Sequence, residues 1–403
     1  MSRCDSLAIQ LLLDCAACPE IDHAGLVKIM QPEDWAMLLQ MARRTRMAPL
    51  LAHNLLQVSA QACPPPIVRA LKEAERSAAL ASLAQGPLAA RTLSLLGEAG
   101  FAPIALKGAR LAHLDYPQPH LRPLRDLDIL VAPEHAVAAR QFLIDRLGFV
   151  PHPGASDYGL DHGHQLPEVW EPETGLVVEI HHRLAGRPWD GEEALIKMVR
   201  SETTTLNVMG VGVEVPSALA NTLHLIEHAG LHHRFSNGPQ VLADLHFALL
   251  ATGSRGAELV ELARELGLIR SLELLGAVAS AHGAAWPDQL GLDVANVPPE
   301  MVERARYAML ADDETARVHE QMYRRGRPIS NDGPRLPSIP KIWRPDPHEL
   351  ARISGEPADS LRKWLGYPSW LAEKGTRFLR GKLDSRVREA HPGQVALFDW
   401  LAG

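Results

Sequence analysis

The sequence predicts an α+β protein, a small mixed β-sheet with a helical region before it and a helical domain after it. Three observations carry this. Apolar residues recur at helical spacing through residues 6–95 and again from 217 to about 323. Between them, from Phe101, the texture changes to short apolar runs bounded by glycine or by turn residues, a strand signal. Across 95–200 the elements then read helix–strand–helix–strand–helix–strand, the order of an α/β or α+β unit. The expected division is 1–95, an N-terminal helical region; 96–215, the sheet-bearing core; 216–323, a helical domain; and 324–403, a proline-rich arm with short C-terminal helices.

Taken in order, Ser6–Cys15 is apolar on one side. Pro32, Glu33 and Asp34 open a helix whose acidic first turn suits the helix dipole. Pro64–Pro66 breaks the chain, and Ile67 to about Leu83 is helical. Gly86-Pro87 is expected to end or kink that helix, with a further one from Leu88 to Glu98. The strands are Phe101–Gly108, Asp126–Val131 and Leu176–Leu184, with a capped amphipathic helix ending at Gly148 between the last two. Residues 204–216 read as a hairpin around Gly210-Val211-Gly212 or as a loop. Helical periodicity returns at Ser217 and persists to Tyr323. Beyond Arg324 the chain is proline-rich and without period, and Trp364, Trp370, Phe378, Leu379, Phe398 and Trp400 then suffice for a few short helices packed on the body.

Composition narrows the function. The 403 residues are 46% hydrophobic and 22% charged, which excludes wholesale disorder, and only 5% are aromatic, so aliphatic helix packing must build the core. A formal net charge of −7 lacks the basic footprint of a polynucleotide binder. No apolar run is long enough for a membrane span, and no convincing signal peptide opens the chain. All four cysteines lie within residues 4–63, unlike a disulfide framework, so a cytoplasmic protein is expected. Cys15 and Cys18 have redox-motif spacing without a preceding strand, and are read as helix packing.

The chemistry concentrates around Asp126-Leu127-Asp128. A strand repeats every two residues, so both carboxylates point to one face, where their repulsion calls for a cation or for protonation. The same repulsion predicts that replacing either by Asn leaves the fold intact or stabilised. Glu179 lies between Val178 and Ile180 in the next strand, and joining the aspartates would explain it. Lys107-Gly108 ends the preceding strand, with Lys107 a phosphate counter-charge and Gly108 open to close approach; Arg122 and Arg125 flank the acidic pair. Carboxylates for magnesium and cations for phosphate oxygens make an assembly for metal-bound polyphosphate.

These residues resemble the uncharacterised bacterial nucleotidyltransferase family of the polymerase-beta-like superfamily. The matching pieces are Leu106-Lys107-Gly108, Tyr116-Pro117, Arg122-Pro123, Asp126-Leu127-Asp128, Glu179-Ile180-His181, His228 with His232, and Asp244, covering roughly residues 30–250. Gly108-Ala109 lies further from the acidic pair than the superfamily's usual Gly-Ser or Gly-Gly, and residues 325–403 match nothing in the pattern. The resemblance implies a nucleotidyltransferase core and one or two Mg2+ ions on Asp126, Asp128 and Glu179. It implies a nucleoside triphosphate, ATP first, held by Lys107, Gly108, Arg125 and Arg122. His181, His228 and Asp244 would stand on the acceptor side or behind the carboxylates. The implied acceptor is a small molecule, peptide or protein.

Two other readings compete. His224-Leu225-Ile226-Glu227-His228 has the H-x-x-E-H spacing of inverted zinc proteases, and Asp161, His162, His164, Glu179, His181 and His182 offer another hydrolytic metal set. A catalytically inactive nucleotide-binding or interaction module is the third reading, against which the retention of all three carboxylates argues.

Overall fold

The computed structural model describes residues 6–151, 163–186, 189–326, 345, 347–356 and 360–402. Asp161, His162 and the arm at 327–344 lie outside the described residues, as does the side chain of Phe378. The central strands are β1 Ile104–Ala105, β2 Leu127–Leu130, β3 Val150–Pro151, β4 Val169–Trp170 and β5 Val177–His181. They form one sheet in the order β1-β2-β5-β4-β3. β2 pairs antiparallel with β1 and parallel with β5, and β4 pairs antiparallel with both β5 and β3, so the sheet is mixed. The fold is α+β. β3 and β4 were not expected from sequence, because two-residue strands carry no alternation to read.

The two faces of the sheet have different partners. Leu127, Ile129, Val178 and Ile180 join Ala90, Leu93 and Leu96 of the helix Pro65–Glu98 and Ala139 and Leu143 of the helix Pro133–Leu147. Ile104, Leu106 and Leu130 join a larger cluster, built from the helices before residue 60 and those after 217. Asp128 alternates with Ile129, so its carboxylate faces this second side. A one-residue slip of β2 would drive Asp128 into the first cluster and expose Leu127 and Ile129. Their burial, roughly 1.5–3 kcal/mol each, opposes the slip.

The helix Leu7–Ala17 starts at Ser6, whose Oγ accepts from Ile9 N at 3.3 Å. It packs against the helix Gln240–Thr252, so the first and later helical regions share one core. Its Cys15 and Cys18 are buried and unpaired, and burial pushes the Cys18 thiol up to about 11. A thiol held protonated in this way makes a poor redox nucleophile.

Pro65–Glu98 is one helix of 34 residues, and the expected stop at Gly86-Pro87 does not occur. A mid-helix proline costs about 3 kcal/mol. Leu71 is anchored in one cluster and Ala89, Ala90, Leu93 and Leu96 in the other, so burial on both sides of Pro87 offsets that cost. Residues 203–216 are a hairpin, β6 Thr203–Val208 and β7 Val211–Pro216, turning through Met209 and Gly210 at φ of 52° and 87°. Positive φ at both central residues is what a tight two-residue hairpin turn requires, and Gly210 supplies one without strain.

The run expected as one helix from Ser217 through the histidines is an α-helix, Ala218–Glu227, followed by a π-helical turn, His228–His232. At the C-terminal end, Tyr367–Leu383 and Ser385–Leu401 are 17 residues each, longer than the short helices expected. They pack on each other and on Asp313–Gly326. No helix among the described residues is long and apolar enough to cross a membrane.

Candidate active site

The site begins where β1 ends. Lys107 has φ +43° and ψ −102°, a conformation that costs a non-glycine residue on the order of 1–3 kcal/mol. The bend turns the chain from β1 into helical turns and carries Lys107 Nζ to 3.2 Å from Asp128 Oδ2. Gly108 gives the room next to it, since a Cβ there would lie 3.0 Å from Arg122 Nη1 and 3.2 Å from Leu124 Cδ2.

β2 and β5 supply the acids. Parallel pairing sets Asp128 opposite Glu179, and His181 follows two residues later on the same face. His181 Nε2 lies 2.8 Å from Asp128 Oδ1 and 3.5 Å from Glu179 Oε2. Burial alone would raise the Asp128 pKa, but the Lys107 charge and the His181 hydrogen bond hold it well below the usual carboxylate range. Asp126, just before β2, has Arg125 Nε at 3.7 Å. Burial first, and then the charges of Asp128 and Glu179, push Asp126 up to about 7. The two aspartates are thus unequal: one is neutralised by the protein and the other is not.

Arg122 is engaged by Asp244. Its Nε and Nη2 donate to Asp244 Oδ1 and Oδ2 at 3.1 and 3.0 Å, and Tyr116 Oη donates to Oδ1 at 2.7 Å. This network ties the loop before β2 to the helix Gln240–Thr252. Arg125, by contrast, has a side chain 63% exposed.

Histidines form the wall above Lys107. His228 Nε2 is 3.2 Å from Lys107 Nζ and 3.2 Å from His233 Nε2. The His232 ring stacks on His228 at 5.2 Å between centroids, and His164 stands 4.8 Å from His232 and 5.3 Å from His181. Burial, followed by the Lys107 charge, holds His224 and His228 well below the usual imidazole range, so both are neutral near pH 7.

His224 and Glu227 are buried, and neither His224 Nδ1 nor Glu227 Oε2 has a hydrogen-bond partner. Their rings and carboxylate do not form a metal-ligand group with His228. Among the described residues, the group whose ligand atoms lie within 4.8 Å of one another is Asp128, Glu179 and His181. The chemistry of that donor set, two carboxylates and an imidazole, fits a divalent cation. The H-x-x-E-H spacing therefore reflects a buried helix face and not a zinc site. His182 Nε2 is buried without a partner and stands outside the group.

Glu227 gives a pH-dependent expectation. Burial pushes its carboxyl up to about 8, against an ordinary value of 4.5. A folded pKa raised above the unfolded one makes the fold lose stability as pH rises between those values. Glu227→Gln should therefore melt higher than wild type at pH 8, with the gap closing towards pH 5. Thermal melts across that range check it, and a gap that is constant with pH would contradict a buried neutral carboxyl.

All these groups lie on or beside one open cleft of about 2900 Å3. Its far wall includes Arg317, His319, Trp370, Lys374, Arg380 and Phe398 from the C-terminal helices, and Arg46 from the N-terminal region. Sequence reasoning did not place these residues or His233 at the site; His233 directly follows the motif residue His232, and the others stand beside no motif.

A family model described as uncharacterised nucleotidyltransferase matches residues 31–282, well over half of the chain, and the match contains Lys107, Asp126, Asp128, Glu179, His228 and Asp244. The chain belongs to this family. It is an enzyme, a nucleotidyltransferase, whose substrate is a nucleoside triphosphate. No curated protein and no solved structure matches the chain. The C-terminal helices that help to wall the cleft lie beyond the matched span.

Proposed function

We propose that this nucleotidyltransferase moves NMP from ATP to a hydroxyl or other nucleophile of a small-molecule or peptide acceptor, with magnesium at Asp126, Asp128 and Glu179. One observation supports the reading: Asp128 and Glu179 stand opposite each other on adjacent parallel strands, Asp126 lines the same cleft just before the first of them, and an ammonium lies 3.2 Å from Asp128. Asp126, whose carboxyl is raised by burial and by the Asp128 and Glu179 charges in spite of Lys107 and Arg125, would gain from a cation beside it. Bound magnesium would neutralise the triphosphate and lower the pKa of the acceptor hydroxyl.

The chain's residues then divide the work. Lys107, released from Asp128, binds a phosphate oxygen of the leaving pyrophosphate. Arg125 reaches the same phosphates from its exposed loop. Arg122, clamped by Asp244, holds that loop and packs beside Gly108. The acceptor oxygen bonds to the α-phosphorus as the bond from phosphorus to the bridging oxygen breaks, its proton passes to Glu179, and pyrophosphate leaves. The neutral imidazoles of His228 and His233 border the acceptor's approach, and His181 orients Asp128. The cleft is about three times the roughly 1,000 Å3 upper range of a small-molecule pocket, so it has space for an acceptor beside the nucleotide. Its mixed acidic and basic lining and the net charge of −7 weigh against a polynucleotide. Buried free thiols suit a cytoplasmic setting.

The test is incubation with magnesium and NTPs labelled at the α- or γ-phosphate. Label should move to an acceptor from the α-position alone, with pyrophosphate released. Transfer of γ-label would refute the reading. Lys107→Ala should lower kcat/KM for the nucleotide by about 10- to 100-fold and leave acceptor affinity unchanged. A loss confined to acceptor binding would instead put the acceptor where the triphosphate is drawn.

A further inference from the structure

The acidic pair on β2 and β5 is extended by a nitrogen donor. Glu179 and His181 alternate onto one face of β5, beside Asp128. His181 Nε2 is 2.8 Å from Asp128 Oδ1 and 3.5 Å from Glu179 Oε2, and the three ligand atoms lie within 4.8 Å of one another. Adjacent ligands of an octahedral cation at bond lengths of about 2.1 Å stand about 3 Å apart, close to the 2.8 and 3.5 Å that separate His181 Nε2 from the two carboxylates. The ring is 2% exposed, and its Nε2 faces the two carboxylates. Lys107 already supplies Asp128 with a counter-charge, so the imidazole is not needed to neutralise it.

We propose that His181 is a direct ligand, with Asp128 and Glu179, of a first-row transition-metal dication of the manganese(II) kind. The cation position next to Glu179 is thereby distinct from an all-oxygen magnesium position on Asp126 and Asp128. The inference rests on the nucleotidyl-transfer reading and refines its metal. Magnesium takes oxygen ligands and gives up water reluctantly, whereas imidazole nitrogen suits first-row metals. Asp128 would contribute a carboxylate to both positions; its Oδ1 faces His181 and its Oδ2 faces Lys107. His181 would ligate through Nε2, the nitrogen that already faces both carboxylates.

The experiment uses the full chain and manganese(II) as the probe, read by binding titration and by pulsed EPR, without turnover. Wild type should bind manganese(II) with a nitrogen-14 coupling of the size given by a directly bound imidazole, and should bind it at least about tenfold more tightly than magnesium. In His181→Gln the coupling should vanish, manganese affinity should fall about tenfold, and magnesium affinity should stay within about threefold. His164→Gln and His228→Gln should keep the coupling, which assigns it to His181. Manganese(II) bound to wild type without nitrogen coupling overturns the proposal whether or not the variants fold, and leaves nucleotidyl transfer standing, with His181 only a hydrogen-bond donor to Asp128. Coupling that survives His181→Gln overturns it equally. Failure to bind either cation, with or without a non-hydrolysable nucleotide, would sink the parent reading as well.

Discussion

Asp126→Asn and Asp128→Asn are each expected to lower nucleotidyl transfer at least about a thousandfold, while moving the stability of the metal-free protein in opposite directions. Both changes remove a charge proposed to face the metal-bound triphosphate. Their effects on the fold differ because their partners differ. Asp126 is a half-buried carboxyl that feels the charges of Asp128 and Glu179, and its pKa is pushed up to about 7. A raised folded pKa means that ionisation destabilises the fold progressively as pH rises from about 4 to about 7. Asn removes that penalty, so Asp126→Asn should melt above wild type at pH 7.5 in the presence of a chelator, and level with it near pH 4. The mutual repulsion read from sequence predicts the same gain for Asp128, and here the structure corrects the expectation. Asp128 is paired with Lys107 at 3.2 Å and with His181 at 2.8 Å, and neutralising it strands a buried ammonium. Asp128→Asn should cost about 3 kcal/mol by chemical denaturation. Its folded pKa is depressed, so this contribution is present above the unfolded carboxyl pKa and is lost only in strong acid. Wild-type activity in either variant would refute the site, and a stability gain for Asp128→Asn would refute the pairing.

Asp244→Asn is expected to cost about 3–5 kcal/mol of folding stability, the range for breaking a buried ion pair from one side. Asp244 accepts two hydrogen bonds from Arg122 and one from Tyr116, and the pair is largely shielded from solvent. Burial works against the Arg122 charge, and the Asp244 carboxylate outweighs it and raises the Arg122 pKa. Arg122→Lys should not rescue the interaction, because one ammonium cannot make two parallel hydrogen bonds to a carboxylate. Denaturation of the nucleotide-free protein measures both. If Arg122 chiefly serves the triphosphate, Arg122→Lys would instead leave stability unchanged and raise the nucleotide KM alone. The resemblance groups Arg122 with the nucleotide ligands. Its bonds to Asp244 give it a second task, holding the loop that delivers Asp126.

The sheet was legible in advance because each of its three long-range strands carries a local signature. Phe101–Gly108 is an apolar run closed by glycine, Asp126–Val131 places two acids on one face, and Glu179 interrupts an apolar run where nothing local accounts for it. The two-residue strands β3 and β4 were illegible, since pairing alone makes them strands. The Gly86-Pro87 stop was misread for the opposite reason. The local rule is sound, but two hydrophobic clusters hold the helix on either side of the proline.

The sequence by itself determined which side chains share a face, because backbone periodicity is local. Glu179 with His181 follows from a repeat of two. It also determined that Lys107 and Gly108 stand at a strand end. Only the tertiary structure decided which partner each group takes. Lys107 meets Asp128 and His228, Arg122 meets Asp244, and His181 meets Asp128 across separations of 21 to 122 residues for the closest and farthest of these hydrogen-bonded or ionic contacts. It likewise decided that helices beyond residue 300 wall the cleft. Ion pairs and cleft walls depend on distances through space, and those are set by how the apolar faces of remote helices pack against the sheet, which no short window of sequence records.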